Sequence, residues 1–304
     1  MGQAAYKQLR LSKTQLYSKL KLTNIFPGDW ESIYKGDGIE FDSTRPFQAG
    51  DDPKDIDLFT MAQSGEEDII LRAEERQMKI YIWVDLSGSL QSFNEMVFPS
   101  KADIRDIATG LIAYSTSNIY TPLGFCAFDE SIRCFYPAKT GQDNCDEIIN
   151  WIIEENNNVK KSKADIHKAI MFMLERLHRQ NIVFFLSDFK NTVFDGDFAF
   201  LVRPLVEKFD FIPVIIRDPI EKSGNIKRAI NVTVENCEGL GVTELYITPD
   251  KIQKIQQLSE QHLQNIQWNF HHLGIDCIVL DSTSIDYCYK TFSGFFERRK
   301  RIRV

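Results

Sequence analysis

The chain has 304 residues, of which 43% are hydrophobic and 26% charged, and its net charge at pH 7 is −7. A chain of this length can bury a core without disulfides or metals, and at about 150 residues per domain it corresponds to about two domains. The acidic balance is not typical of a general nucleic-acid binder, which would present a basic face.

The location of the protein follows from its cysteines and its hydropathy. The six cysteines are scattered and form no Cys-x-x-Cys pair, which predicts reduced thiols in a cytoplasmic protein. The N-terminal stretch is interrupted by lysines, so it does not have the apolar core of a secretion signal. No stretch approaches the ~20 apolar residues of a membrane span. We therefore expect a cytoplasmic protein without a transmembrane segment.

The front of the chain predicts a small module that is too poor in periodic elements to build its own core. Leucines at helical spacing among basic residues predict a short amphipathic helix up to about Asn24, which packs on the main body or, as the weaker alternative, touches a membrane surface. Residues 26–67 are rich in Gly, Asp and Pro, which is typical of turns, with a candidate strand at 39–41. We predict residues 1–77 as this module and residues 78–304 as an α/β domain.

Strands and helices alternate in the second part of the chain. The predicted strands are 79–85, 121–129, 181–188, 211–216, 230–234, 245–248 and 274–280. The predicted helices are 101–117, 143–155, 165–179, 198–208, a long one that begins at Pro249, and 285–296. This alternation predicts a doubly wound, mostly parallel sheet covered by helices on both faces.

Two of the predicted strands end in carboxylates. Asp85, Ser87 and Ser89 follow the first strand of the α/β region, and Asp188 ends the strand at 181–188. Ligands of open α/β sheets bind at the carboxyl ends of strands. Carboxylate and hydroxyl oxygens are ligands for hard cations such as Mg²⁺. The pattern predicts a divalent metal site, with turn capping by Asp85 and Ser87 as the alternative.

Further motifs extend this pattern over most of the chain. The sequence has Arg-Pro-Phe at 45–47, Gly-Asp-Asp-Pro at 50–53, Ile-Asp at 56–57, Glu-Glu-Arg at 74–76, Asp-x-Ser-x-Ser at 85–89 and Phe-Phe-Glu-Arg-Arg at 295–299. The set resembles the bacterial family catalogued as domain of unknown function fifty-eight, from about Pro27 onward. The Asp-x-Ser-x-Ser segment by itself resembles the metal-ion-dependent adhesion site of von Willebrand factor A domains.

The resemblance implies a von Willebrand factor A-like fold and a non-enzymatic protein-interaction module. Members of the family are often encoded beside MoxR-type AAA+ ATPases, which implies a role as an adaptor for such an ATPase. The resemblance carries Asp85, Ser87 and Ser89 over as the first metal loop and Asp188 as the last acidic ligand. A carboxylate of the partner would then complete the shell of the metal ion.

The chain departs from the family pattern at one expected metal ligand. Where the family has Thr in a Gly-Thr-Asp-Leu segment, this sequence has Ala164. Ser162 could compensate for the missing hydroxyl, or Asp165 could turn inward. Mg²⁺ or another divalent cation remains the expected cofactor, at an affinity that this departure puts in question.

Motifs of common enzyme classes are absent from the sequence. It contains no GxxxxGK[ST], HExxH or GxSxG segment. A phosphatase of the haloacid dehalogenase type would have Asp-x-Asp after its first strand, but Ser87 stands at the second position. We assign no catalytic residue, and the alternative function is a divalent-metal hydrolase of the phosphoesterase type that uses Asp85 and Asp188.

Overall fold

A computed structural model describes most of the chain after residue 77 and parts of the chain before it. The described residues are 24–26, 44–48, 56, 61–62, 65, 68–70, 78–91, 100–156, 162–178, 180–190, 192–218, 230–235 and 242–303. The chain divides into two compact units, which are Met1–Pro27 with Met78–Arg298, and Gly28–Gln77 with Arg299–Val304. The predicted amphipathic helix, the candidate strand at 39–41 and several of the family motifs lie outside the described residues.

A six-stranded sheet forms the centre of the larger unit. The described strands in chain order are β1 (Thr44–Pro46), β2 (Asp68–Ile70), β3 (Ile80–Asp85), β4 (Leu123–Phe128), β5 (Ile132–Lys139), β6 (Asn181–Ser187), β7 (Phe209–Ile216), β8 (Ile230–Glu235), β9 (Val242–Ile247) and β10 (Ile278–Leu280). The strand order of the large sheet is β10-β7-β6-β3-β4-β5, and all neighbours are parallel except β4 and β5. β1 pairs with β2, and β8 pairs with β9, as separate antiparallel ribbons. The predicted doubly wound, mostly parallel α/β fold is confirmed.

The helices connect these strands much as the periodicity predicts. The described ones are α1 (Gly88–Gln91), α2 (Lys101–Asn118), α3 (Gln142–Glu155), α4 (Ile166–Arg176), α5 (Gly196–Lys208), α6 (Pro249–His272) and α7 (Ile285–Arg303). Thr248 caps α6 and Pro249 occupies its first turn, where its missing N–H costs no hydrogen bond. α7 runs past the predicted end at 296, because the Arg and Lys residues that follow are good helix formers. Across the described residues, none of the helices combines the length and the apolar character needed to cross a bilayer.

Two consecutive phenylalanines of β6 show why the sheet carries helices on both faces. Successive side chains of a strand point to opposite faces, and both Phe184 and Phe185 are fully buried. Phe184 contacts Phe292 and Phe296 of α7, with ring centroids 6.2 Å and 6.1 Å away. Phe185 contacts Phe128, at 5.1 Å, in the core cluster that α4, α5 and α6 complete. Each face of β6 is therefore sealed by a different set of helices.

Two residues at the start of the turn-rich segment, Ile25 and Phe26, belong to the core of the α/β unit. Ile25 and Phe26 are buried, and the ring of Phe26 lies 5.1 Å from that of Phe296. The backbone N–H of Ile25 donates to the hydroxyl of Ser115 at 3.0 Å, on α2. This short segment thus packs against two helices of the α/β unit.

Strand β5 is an element that the sequence analysis does not predict. It follows β4 after three residues and pairs with it antiparallel at the edge of the sheet. Pro137 within it argues against a strand from sequence alone, because proline cannot donate to a ladder. At an edge this loss is tolerated, and Pro137 is exposed there.

Gly124 of β4 leaves room for the ring of Tyr81, its partner on β3. A Cβ atom at position 124 would overlap with that ring, which is buried and stacks on Phe135 at 6.4 Å. We expect Gly124→Ala to displace the ring and to lower the free energy of unfolding by about 1–3 kcal/mol, measured by urea denaturation. The control is Gly196→Ala in α5, where a Cβ would meet nothing within 4 Å; its effect should stay within about 0.5 kcal/mol. Equal unfolding free energies for the two variants would contradict this packing argument.

Candidate functional site

The carboxyl ends of β3 and β6 meet where the direction of the strand order reverses. β4 lies on one side of β3, whereas β6, the next parallel strand along the chain, lies on the other side. Open α/β sheets bind ligands in the crevice at such a point. Asp85 is the last residue of β3, and Asp188 directly follows β6. The sheet thus brings the two carboxylates of the sequence analysis to one edge.

The carboxylate of Asp85 is held from two directions in a buried position, with 1% of the residue exposed. Its Oδ1 accepts from the backbone N–H of Ser87 at 2.7 Å, and its Oδ2 accepts from the hydroxyl of Ser187 at 2.6 Å. The backbone N–H of Phe189 donates to that same hydroxyl at 3.0 Å. Burial, and then the charge of Asp188, raise the pKa of Asp85 to about 6, although the hydrogen bonds from Ser187 and Ser87 oppose the shift.

The two serines of the Asp-x-Ser-x-Ser segment turn toward each other. The hydroxyl oxygens of Ser87 and Ser89 lie 3.2 Å apart. The single turn of α1 begins here, with the N–H of Leu90 donating to the carbonyl of Ser87 at 2.9 Å. The N–H of Gly88 donates to the carbonyl of Ser162 at 2.8 Å. These backbone bonds place two hydroxyls beside the Asp85 carboxylate in one tight loop.

Asp188 forms an ion pair with Lys101, a residue that the sequence analysis does not single out. The Nζ of Lys101 donates to Oδ2 of Asp188 at 2.7 Å, and only 6% and 4% of the two side chains are exposed. Oδ1 of Asp188 accepts from the backbone N–H of Lys190 at 3.2 Å. Burial raises the pKa of Asp188, but the charges of Lys101 and Lys190 outweigh that effect, so its pKa lies below the usual range.

Lys101 could have been suspected from its place in a helix. It is the first residue of α2, after a capping box formed by Ser100 and Asp103. A positive charge in the first turn opposes the helix dipole. A lysine at this position therefore indicates a compensating partner, which is Asp188, 87 residues further along the chain.

The two alternatives for the missing threonine hydroxyl have other hydrogen-bond partners. The hydroxyl of Ser162 donates to Oδ2 of Asp129 at 3.4 Å. The exposed side chain of Asp165 caps α4 by accepting from the N–H of Lys168 at 2.9 Å. Asp129, which directly follows β4, is 5% exposed and is a third carboxylate at this edge that the sequence analysis misses.

The donor atoms at the end of β3 fit a hard cation. Asp85, Ser87 and Ser89 offer oxygen ligands only, which is the chemistry that Mg²⁺ prefers. Within the part of the chain that the structure describes, no three His, Cys, Asp or Glu side chains converge on one point. Ala164 adds no oxygen, and the charge of Asp188 is already balanced by Lys101. A cation here would therefore depend on hydroxyls and water more than on charged ligands.

A family model described as "Protein of unknown function DUF58" matches residues 43–253 of the chain. The chain belongs to this family. An uncharacterized protein of Mycobacterium tuberculosis is 21% identical over 239 residues, which cover 79% of the DUF58 chain and 73% of that protein. BatB from Bacteroides thetaiotaomicron is 13% identical in sequence, with 74% of this chain and 99% of that one covered and a TM-score of 0.42. An aerotolerance-related membrane protein from Bacteroides fragilis is 12% identical, with 73% and 99% covered and a TM-score of 0.41.

Stability in chelator should depend on pH through Asp85. Its pKa in the folded state, about 6, lies above the ordinary value of 3.8, so its protonated form stabilises the fold at low pH and this contribution is lost as the pH rises through 6. Asparagine does not titrate. Between pH 4 and pH 7.5 we therefore expect the free energy of unfolding of Asp85→Asn to rise by up to about 3 kcal/mol relative to that of the wild type. Urea denaturation in EDTA at several pH values measures the difference. If the unfolding free energies of the two proteins change with pH in parallel, the pKa of Asp85 is not raised in the folded state.

Proposed function

We propose that this DUF58 chain is a non-enzymatic protein-interaction module that binds a carboxylate of a partner protein at the carboxyl ends of β3 and β6. The observation that carries the proposal is the loop of Asp85, Ser87 and Ser89 in the crevice where the strand order reverses. A crevice of this kind is the usual ligand site of open α/β sheets.

The chain's own residues prepare the loop for a cation and for the partner. Asp85 fixes the backbone of Ser87 through Oδ1, and Ser187 orients the carboxylate through Oδ2. Asp85, Ser87 and Ser89 would hold Mg²⁺ or another divalent cation. When bound, the ion supplies a positive charge with open positions for a carboxylate of the partner.

The partner we propose is a MoxR-type AAA+ ATPase, with the chain acting as its adaptor in the cytoplasm. The support for this partner is the family resemblance of the motifs from Arg45 onward. The support for the compartment is the chemistry of the cysteines. Cys126, Cys134 and Cys288 are thiols rather than disulfides, which fits a reducing environment.

The contacts that Asp85 and Asp188 already make favour binding over hydrolysis at this site. A hydrolase would need Asp85 or Asp188 to act on water or on a substrate atom. Both oxygens of Asp85 already accept hydrogen bonds, and Asp188 is paired with Lys101. A general base must reach the proton that it removes, and these buried, engaged carboxylates are poorly placed for that.

Capture of the partner should require a divalent cation. The immobilised chain is incubated with the purified MoxR-type ATPase of the same organism, in MgCl₂ or in EDTA. We expect capture in Mg²⁺, and a loss of at least about tenfold in EDTA or with Ser89→Ala, because EDTA removes the ion and the substitution removes one of its oxygen ligands. The matched control is Asp165→Asn, since asparagine also caps helices and the side chain of Asp165 bonds within α4. Equal capture in EDTA and in Mg²⁺, together with unchanged capture by Asp85→Ala, would refute the proposed function.

A further inference from the structure

The Lys101–Asp188 ion pair lies beside the proposed cation loop and is almost completely removed from water. The two charged atoms are 2.7 Å apart, with side chains 6% and 4% exposed. Asp188 also acts on the charge of Asp85, whose pKa it raises. The ammonium group of Lys101 therefore lies at an edge of the sheet that also holds the buried carboxylates of Asp85, Asp129 and Asp188.

An ammonium group in this place is costly by itself. Removing a charge from water is unfavourable unless a partner compensates for it. The first turn of α2 adds a further penalty, because the helix dipole presents positive charge there. The compensation comes from Asp188, whose carboxylate accepts from the ammonium group at 2.7 Å.

We propose that Lys101 is an internal counter-cation of the site, which balances Asp188 in the metal-free protein and lowers the affinity of the site for divalent cations. The inference rests on the proposed function, in that it concerns the same loop. An ion at Asp85, Ser87 and Ser89 has to bind near the ammonium group of Lys101, whose buried charge is poorly screened by water. The site consequently keeps its fold without metal and takes up a cation weakly.

Lys190 is the natural comparison. It also lowers the pKa of Asp188, and its backbone N–H donates to that carboxylate. Lys190, however, is exposed to solvent. Water and salt screen an exposed charge, so the Lys190 side chain should affect ion binding much less than the buried one of Lys101.

The test is calorimetric titration of the wild type, Lys101→Gln and Lys190→Gln with MgCl₂ and with MnCl₂. We expect Lys101→Gln to bind both ions at least about tenfold more tightly than the wild type, and Lys190→Gln to stay within about threefold of it. Lys101→Arg, which keeps the charge, should bind like the wild type. An affinity of Lys101→Gln that is no higher than that of the wild type, including no binding by either protein, would overturn the inference.

Thermal unfolding in EDTA gives a second test, which does not depend on metal binding. Lys101→Gln leaves Asp188 buried without its counter-charge, so its melting temperature should fall below that of the wild type. The double variant Lys101→Gln/Asp188→Asn removes both charges and should recover most of the loss. If the double variant melts as low as the single one, Lys101 serves only packing and the inference is wrong.

The two proposals can fail separately. Tighter ion binding by Lys101→Gln, with partner capture that is insensitive to EDTA, would keep the counter-cation and reject the cation-dependent function. Capture that needs Mg²⁺, with equal ion affinities for the wild type and Lys101→Gln, would do the reverse.

Discussion

Burying two carboxylates at the ends of neighbouring strands is the constraint on which the candidate site depends. Like charges in a poorly solvated place cannot both stay ionised without compensation. The protein resolves this asymmetrically. Asp188 pairs with Lys101, and its pKa lies below the usual range. Asp85 accepts hydrogen bonds from neutral donors, and its pKa is about 6. Asp85 is therefore the carboxylate that gains most from an additional cation.

The fold creates this constraint. Parallel pairing of β3 with β6 brings Asp85 beside Ser187 and Asp188, although more than 100 residues separate the two strand ends: the Ser187–Asp85 hydrogen bond spans 102 positions. β3 and β6 are buried along their whole length, and the charged or small polar residues among them (Asp85, Asn181 and Ser187) stand at strand ends, since helices cover both faces of the sheet. Polar chemistry is thus concentrated at the crevice, where backbone groups of the following loops can fix it.

Sequence patterns are sufficient for the parts of this account that depend on short-range order. Asp85 and Asp188 could be placed together because Asp85 ends one buried strand, Asp188 directly follows another, and parallel strands end at a common edge. The edge strand β5 could not be predicted from the sequence, because Pro137 removes the usual signal for a strand. Lys101 could not be linked to Asp188 either, since their contact is made only by the folded sheet and helix. The role of Asp165, by contrast, depends on local sequence alone. A carboxylate at the N-terminus of a helix can accept from a backbone N–H three residues later, as Asp165 does from Lys168, and this bond keeps the side chain from turning inward.

The most direct test of a cation at this loop is anomalous diffraction from crystals of the full chain grown with a high concentration of MnCl₂. We expect an anomalous peak from manganese at the hydroxyls of Ser87 and Ser89 beside Asp85, and no such peak in crystals of Ser89→Ala grown in the same solution. A wild-type loop without manganese, with the ion bound elsewhere or not at all, would contradict the proposed cation site.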